Sequence, residues 1–222
     1  MVLMDILSAS GIDSIAIFGG SGATGKALIS HAASKGLKVR ALARKAGSIE
    51  FGSDQVVVLE GALSNLGDVM ATLQGCGAAI CVFGPHPPYT DIFCEHATSV
   101  IVSAMQQSAI ERLICQTGGM IGEYRANRTF PFQLMSGLFK RHSSQVANDR
   151  ERQESVVIHS GLAWTIVKPP RLTDGAAKGK WSAGTNVRLG MLSSISRDDL
   201  AEFLLTETVR PQYIGQAVFV RN

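Results

Sequence analysis

Short apolar runs alternate with amphipathic stretches along the whole chain. Residues 14–18, mostly apolar, run straight into a cluster of glycines and read as a buried strand. Residues 26–35 have a helical pattern that stops at Gly36. Residues 38–44 form the second strand, and residues 55–60, with three consecutive valines, predict a third, buried on both faces. A short helix over 65–73 leads to a fourth strand over 78–83. The sequence Gly84-Pro85-His86-Pro87-Pro88 closes it, because proline can neither donate to the ladder nor start a helix interior. A long helix over 91–107 and a fifth strand over 112–116 follow. Residues 121–144 are apolar and aromatic, with Tyr124, Phe130, Phe132, Leu134, Met135, Leu138 and Phe139 among basic residues. They suit a lid over a pocket, a helix packed on the core or a subunit contact. A charged helix over 146–160 stops at Gly161, a sixth strand over 164–168 ends at Pro169-Pro170, and Ser196-Arg197-Asp198-Asp199 is a capping box that opens another helix. Residues 216–220 are a last strand. Strands alternating with helices predict a doubly wound, parallel α/β sheet with helices on both faces. One domain covers 1–222, with 121–144 as its lid or interface insertion.

The glycine cluster carries the clearest chemistry. Strand, glycine turn and helix open a βαβ nucleotide-binding unit. Backbone must approach a pyrophosphate closely there, and a Cβ would block it. Helix N–H groups and the positive end of the helix dipole then face the phosphates. Gly20, Gly22 and Gly25 give G-x-G-x-x-G, while Gly19, Gly22 and Gly25 give G-x-x-G-x-x-G. Gly20 to Lys26 also reads G-x-x-x-x-G-K, but the magnesium-ligating Ser or Thr of a P-loop is Ala27 here, which argues for a dinucleotide over a triphosphate. An NAD site usually has an acid at the end of strand two to hold the ribose hydroxyls. Here Arg44 and Lys45 stand there, and two cations pair with a 2′-phosphate, so NADP(H) is the expected cofactor.

Composition narrows the class. With 222 residues, 45% hydrophobic and 18% charged, the chain can bury a large core. Its net charge of +3 comes from scattered residues, so no nucleic-acid partner is expected. Arg125, Arg128, Lys140 and Arg141 read as a solvated basic face. The cysteines Cys76, Cys81, Cys94 and Cys115 form no C-x-x-C, and Cys81 and Cys115 fall in strand-like runs. Disulfides are not expected, which fits a reducing compartment. The five histidines show no metal-ligand spacing. Residues 1–11 carry Asp5 and no positive charge, unlike a secretory signal, and no apolar run approaches a membrane span. A cytoplasmic, membrane-free monomer or homodimer is the expectation.

Taken together, SIAIFGGSGATGKAL, KVRALARK, QVVVLEGAL, AAICVFG, RLICQTGG, HSGLAWTIVKPPRLTDG and ISRDDLAEFLL resemble the atypical short-chain dehydrogenase/reductase proteins, the group with NmrA-like members. The nearest type is the flavin reductase, or biliverdin-IXβ reductase. The resemblance spans nearly the whole chain in order and implies a Rossmann domain that binds NADPH. It places the pyrophosphate on Gly19, Ser21, Gly22, Ala23, Thr24 and Gly25, and the 2′-phosphate and adenine by Arg44. Leu63 joins the cofactor set, Phe83 and Gly84 line the ribose, and Thr117-Gly118 and Pro169-Pro170 flank the nicotinamide. There are departures. Relatives often have Asp at the position of Ala62, a loss worth about 0.5–1.5 kcal/mol. The superfamily's serine near Gly118 or Gly119 is absent, Tyr124 to Arg128 gives Y-x-x-x-R in place of Y-x-x-x-K, and Arg171 stands where the flavin-reductase type has histidine.

Those losses bear on function. Hydride transfer to a flavin or quinone needs mostly proximity, and such an acceptor can take its proton from water. Carbonyl reduction develops an alkoxide and needs a donor. The catalytic candidates are Thr117, Tyr124 and Arg171, with His86 a further donor. The reading is an NADPH-dependent reductase acting on a flat, hydrophobic or aromatic small molecule: a flavin, quinone, tetrapyrrole, enone or carbonyl. A non-catalytic NADP-binding regulator, or an isomerase or epimerase on the same fold, is the alternative.

Overall fold

In the computed structural model, residues 11–49, 51–86 and 91–222 are described. Pro87 and Pro88 of the proline loop, and all but the last residue of 1–11, lie outside them. The elements in chain order are β1 (Ser14–Phe18), α1 (Ala23–Ser34), β2 (Lys38–Ala43), β3 (Val56–Glu60), α2 (Leu66–Leu73), β4 (Ala78–Cys81), α3 (Cys94–Gln107), β5 (Arg112–Gln116), α4 (Phe130–His142), α5 (Ser144–Ile158), β6 (Ala163–Lys168), β7 (Arg171–Thr173), β8 (Ser182–Gly184), β9 (Ser194–Ser196), α6 (Arg197–Val209) and β10 (Gln216–Arg221).

Eight strands form one sheet in the order β3-β2-β1-β4-β5-β6-β10-β8, and β7 pairs with β9 in a small second sheet. Pairing is parallel across the large sheet except between β10 and β8. This is the doubly wound Rossmann-like sheet expected. The strand order reverses at β1 and β4, and ligands of such sheets lie outside the carboxyl ends of the strands at that point. On one face Leu28 and Ile29 of α1 and Leu200 and Leu204 of α6 pack on Ile15, Ile17, Val39 and Ala41. On the other, Val69 and Leu73 of α2, Ile101 and Met105 of α3 and Val157 of α5 cover Ala16, Phe18, Cys81 and Cys115. Each such fully buried aliphatic side chain stabilises the fold by about 1.5–3 kcal/mol.

Several boundaries and burial patterns differ from the sequence expectation. The valine-rich β3 is not buried on both faces: among the described residues it is the edge of the sheet, paired only with β2, and Val57 is 46% exposed. Helix α1 begins three residues before Lys26, inside the glycine motif. Helix α3 begins at Cys94, not at 91, because its cap comes from elsewhere: the Asp149 carboxylate on α5 accepts from the backbone N–H of Cys94 (2.9 Å) and Glu95 (3.1 Å). Residues 121–144 hold a 3₁₀ turn and α4, whose Phe132 packs on Leu189 and Phe219 while Phe130, Leu134 and Leu138 stay exposed. Three short strands, β7, β8 and β9, carry too few residues to show a period of two. The capping box holds: the Ser196 hydroxyl accepts from the Asp199 N–H at 3.1 Å. The Asp199 carboxylate also accepts from the N–H groups of Lys178 and Gly179 and from Asn222, and these bonds hold its pKa below the usual carboxylate value against the upward push of burial.

All four cysteines are buried free thiols, and burial raises the pKa of each, Cys94 to about 11 and Cys115 to about 12. Thiolate is the reactive form. The folded protein should therefore show no fast-reacting thiol with a disulfide reagent such as dithionitrobenzoate at pH 8, and four after denaturation. One equivalent reacting within seconds in the native state would contradict the packing.

Candidate functional site

The glycine turn sits where β1 meets α1. Gly19 has φ +98°, and a Cβ there would lie 2.7 Å from the Phe83 nitrogen. A Cβ on Gly25 would lie 2.2 Å from the Gly19 oxygen. Gly19 and Gly25 are thus demanded by the protein itself. A Cβ on Gly20 would press only on the flexible ends of Ile29 and Ile49, at 3.0 Å, and on Ala41. Gly22 differs: a Cβ there would meet only the Gly19 oxygen, at 3.5 Å. Steric demand therefore singles out Gly19 and Gly25, while the approach to Gly22, common to both glycine spacings, is open. Gly22 is also the N-cap of α1, no side chain caps that helix, and its first turn holds no acid. Uncapped N–H groups with an open approach suit an anionic group.

The other predicted cofactor residues surround this turn. Ser21 and Ala23 are exposed, and Thr24 is buried. Phe18 pairs with Leu42, so Arg44 and Lys45 emerge just past the carboxyl end of β2, both exposed, beside the turn. The loop after β3 is tied differently from the relatives' pattern. The N–H of Ala62 donates to the Asp68 carboxylate at 2.9 Å, and Leu63 packs partly into the core. The ends of β4 and β5 are held together from α5. Arg150 donates to the carbonyl oxygens of Phe83 (3.0 Å) and Gln116 (3.1 Å), with Gly84 alongside. The side-chain oxygen of Gln116 is buried without a hydrogen-bond partner among the described residues. Across from it, the Thr117 N–H donates to Val167 and the Gly119 N–H to Pro169, which brings Thr117-Gly118 next to Pro169-Pro170.

Behind that junction lies a cluster that spacing did not reveal. Lys168, the last residue of β6, is completely buried and donates to the Glu154 carboxylate of α5. The Thr117 hydroxyl donates to the same carboxylate at 2.6 Å and accepts from Lys168 at 3.3 Å. The Lys168 ammonium stands 4.4 Å from the centre of the Tyr124 ring, whose far edge meets Phe219. A Tyr–Lys juxtaposition is thus present, assembled from a loop and a strand end. Burial first, then the charge and hydrogen bond of Glu154, push the Tyr124 hydroxyl well above its usual pKa. Burial brings Lys168 down to about 8, against the pull of Glu154, and Arg128 and Arg150 add to the lowering. Arg128, read above as part of a solvated face, is instead 5% exposed and donates to the carbonyls of Gly119 and Ile121. Arg171 is exposed at the start of β7 and outside this cluster. The visible signals were faint: a lysine closing an apolar strand, and acids on a helix that reads as merely charged. That helix buries Asp149, Arg150, Gln153 and Glu154 because they satisfy strand ends and a helix end.

Two clefts open on the surface, the second of them lined by residues of the cluster. One, of about 490 Å³, is lined by Thr129, Pro131, Met191, Leu192 and Arg221, and includes none of the glycine-turn residues. Its wall packs on Gly119 through Leu189. The other, of about 290 Å³, runs along α5 and is lined by Tyr124, Glu151, Glu154 and His159. No helix of the described residues is long and apolar enough to cross a membrane.

Residues 19–211, which include every part of this arrangement up to α6, match the model of a family described as NAD(P)H-binding. The chain belongs to that family. The bare Gly22, the uncapped helix start and the unpartnered Gln116 oxygen are the features of this NAD(P)H-binding protein that fit a dinucleotide. Solved structures share its fold. ChuY, an anaerobilin reductase from Escherichia coli O157:H7, superposes with a TM-score of 0.76 at 22% identity, covering 93% of this chain and 96% of that one. A short-chain dehydrogenase/reductase from Veillonella parvula, solved with NADP, gives 0.79 at 14% identity over 95% of both chains. The oxidoreductase ylbE of Lactococcus lactis gives 0.73 at 18%, covering 94% and 90%.

Proposed function

We propose that this NAD(P)H-binding protein is an NADPH-dependent reductase that transfers hydride to a flat small-molecule acceptor. One observation carries the reading: the open glycine turn after β1 and the hydroxyl–lysine cluster at the ends of β5 and β6 both lie at the carboxyl ends of strands of the same sheet. Bound there, NADPH would supply a hydride. Gly22 and the first turn of α1 would hold its pyrophosphate, Arg44 and Lys45 its 2′-phosphate, and Phe83, Gly84, Thr117, Gly118, Pro169 and Pro170 its nicotinamide half. Arg150 fixes the spacing of the β4 and β5 ends. The apolar wall of Pro131, Met191 and Leu192 suits a hydrophobic or aromatic acceptor. The reductase and oxidoreductase among the structures of like fold support this reading, and the four buried thiols support a reducing, cytoplasmic setting.

The cofactor part is tested by titration with NADPH and NADH, following nicotinamide fluorescence. NADPH should bind more tightly, and Arg44→Asp should remove that preference. A charge-assisted hydrogen bond is worth about 1.5–3 kcal/mol, so the loss for NADPH should be roughly 10- to 150-fold with NADH little changed. An equal loss for both nucleotides would place Arg44 elsewhere. The reductase part is tested by NADPH oxidation with a panel of flavins, quinones, enones and aldehydes. Tight binding with no turnover on any of them would favour a nucleotide-sensing regulator.

A further inference from the structure

We propose that Lys168 and Thr117, both held by the Glu154 carboxylate, form a buried proton relay behind the nicotinamide end of the cofactor cleft, and that the acceptor is accordingly a carbonyl or enone whose oxygen gathers charge as hydride arrives. The proposal rests on the reductase reading.

The cluster asks for an explanation beyond stability. A lysine and a glutamate taken fully out of water lose solvation that their attraction hardly repays, and apolar residues of similar size often serve a fold as well. Here the pair also lies within one proton hop of a hydroxyl. The Thr117 oxygen is 2.6 Å from Glu154 and 3.3 Å from Lys168. Thr117 itself keeps 7% of its surface exposed, and the residue after it, Gly118, has open space where a Cβ would stand, with only Ile121 near, at 3.9 Å. The neighbouring groups are arranged to let Lys168 give up a proton near neutrality. Glu154 and Arg150 face it from α5, Tyr124 and Arg128 from the segment after β5, and Cys115 and Thr117 from β5 and its end; Phe219 of β10 is 6.0 Å away. Burial and the two arginines lower Lys168 to about 8, while Glu154 alone opposes them. Tyr124 stays protonated and covers the ammonium with its ring, so its phenol does not compete as a base. Glu154 and Tyr124 also line the cleft along α5, which gives the relay its route to solvent.

The balance closes with NADPH as reductant. The acceptor's carbonyl carbon takes up the hydride, its C=O π pair moves to oxygen, and NADP⁺ is left. The oxygen takes the proton of the Thr117 hydroxyl, which turns from Glu154 to reach it. The Thr117 oxygen takes a proton from the Lys168 ammonium, and the resulting amine is reprotonated from the cleft. An enone differs only in that its β-carbon receives the hydride. Since Lys168 must start protonated, turnover should fall as pH rises through about 8.

The test compares NADPH oxidation by 4-nitrobenzaldehyde and by FMN, whose proton can come from water. Two variants are made, Lys168→Arg and Thr117→Val. Arginine keeps the charge pair with Glu154 but does not release its proton. If the pair were only structural, Lys168→Arg would restore the wild-type ratio of aldehyde to FMN turnover. The relay predicts that this ratio falls about 100-fold or more in both variants, the usual contribution of a positioned acid, and that Lys168→Arg loses the alkaline fall. A wild-type ratio in Lys168→Arg overturns the relay, and a wild type that reduces FMN but no aldehyde or enone overturns the acceptor class. A second readout needs no turnover. In ¹³C-lysine spectra, the Lys168 signal, identified by its loss in Lys168→Arg, should titrate at lower pH with NADP⁺ bound than with NADPH, because the oxidised ring carries a positive charge. Equal midpoints overturn the relay even in an active enzyme. A protein that binds neither nucleotide overturns the underlying reductase reading instead.

Discussion

Gly22→Ala is expected to fold like the wild type and to lose NADP(H) binding by about 100-fold, or about 2.7 kcal/mol. The added methyl meets nothing in the protein closer than the Gly19 oxygen at 3.5 Å, so the turn can keep its shape. It stands at the cap of α1, where the N–H groups of the first turn point outward with no side chain to occupy them. Alanine is a poorer cap than glycine, by a few tenths of a kcal/mol or more, so a small drop in Tm accompanies the change. The companion variant Gly25→Ala should fail differently. Its methyl would lie 2.2 Å from the Gly19 oxygen and 2.6 Å from the Gly20 Cα, so the turn itself must move, and stability and binding fall together. Thermal melts beside a fluorescence titration separate the two. Full NADPH affinity in a well-folded Gly22→Ala would show that the phosphates lie elsewhere.

The largest stability effect is expected at the opposite end of the sheet. Glu207 of α6 is 2% exposed and accepts from Arg112 (2.9 Å), Thr165 (3.2 Å) and the backbone N–H groups of Gln212 and Tyr213 (both 3.0 Å). Arg112 is itself 6% exposed and also donates to the Ala163 carbonyl. Glu207→Ala would leave that guanidinium buried without a counter-charge, which costs about 3–5 kcal/mol, and would orphan two backbone donors. For a chain of this length each kcal/mol lowers Tm by about 2–4 °C, so a fall of roughly 6–20 °C follows. The double variant Arg112→Met/Glu207→Gln removes both charges and keeps an acceptor for the loop. It should recover most of the loss. A double variant no more stable than Glu207→Ala would mean that the charge pair is not what the site depends on.

The glycine-turn half of the molecule was legible because its signals are local. Each strand of the β1 to β6 series is a short apolar run, and the glycines at 19, 22 and 25 fall within one stretch of seven residues, although the atoms that Gly19 must clear belong to Val82 and Phe83. The cluster around Lys168 was not. Lys168 and Glu154 are partners because β6 ends where α5 passes over it, and no spacing along the chain encodes that crossing. The same holds for Asp149, which caps a helix from more than fifty residues away. The valines of β3 misled for a related reason. Burial depends on what lies around a strand, and the sequence of β3 does not say that it has a neighbour, β2, on one side alone among the described residues. The Y-x-x-x-R stretch misled in the other direction, since its arginine ties a loop while the cation beside Tyr124 arrives from another strand.

The place of β10 has a consequence for the order of assembly. Strands β1 to β6 can pair as they leave the ribosome, since every partner in that series is already made. β8 cannot, because its only neighbour in the sheet, β10, is synthesised after it. Phe219 of β10 is also the surface on which Tyr124 and α4 settle. A nascent chain halted before residue 216 would therefore carry strands β1 to β6 in register, but no finished enclosure around Lys168. Folding followed by pulsed proteolysis should show strands β1 to β6 protected first, and Tyr124 and α4 becoming protected in a slower step that waits for the last strand.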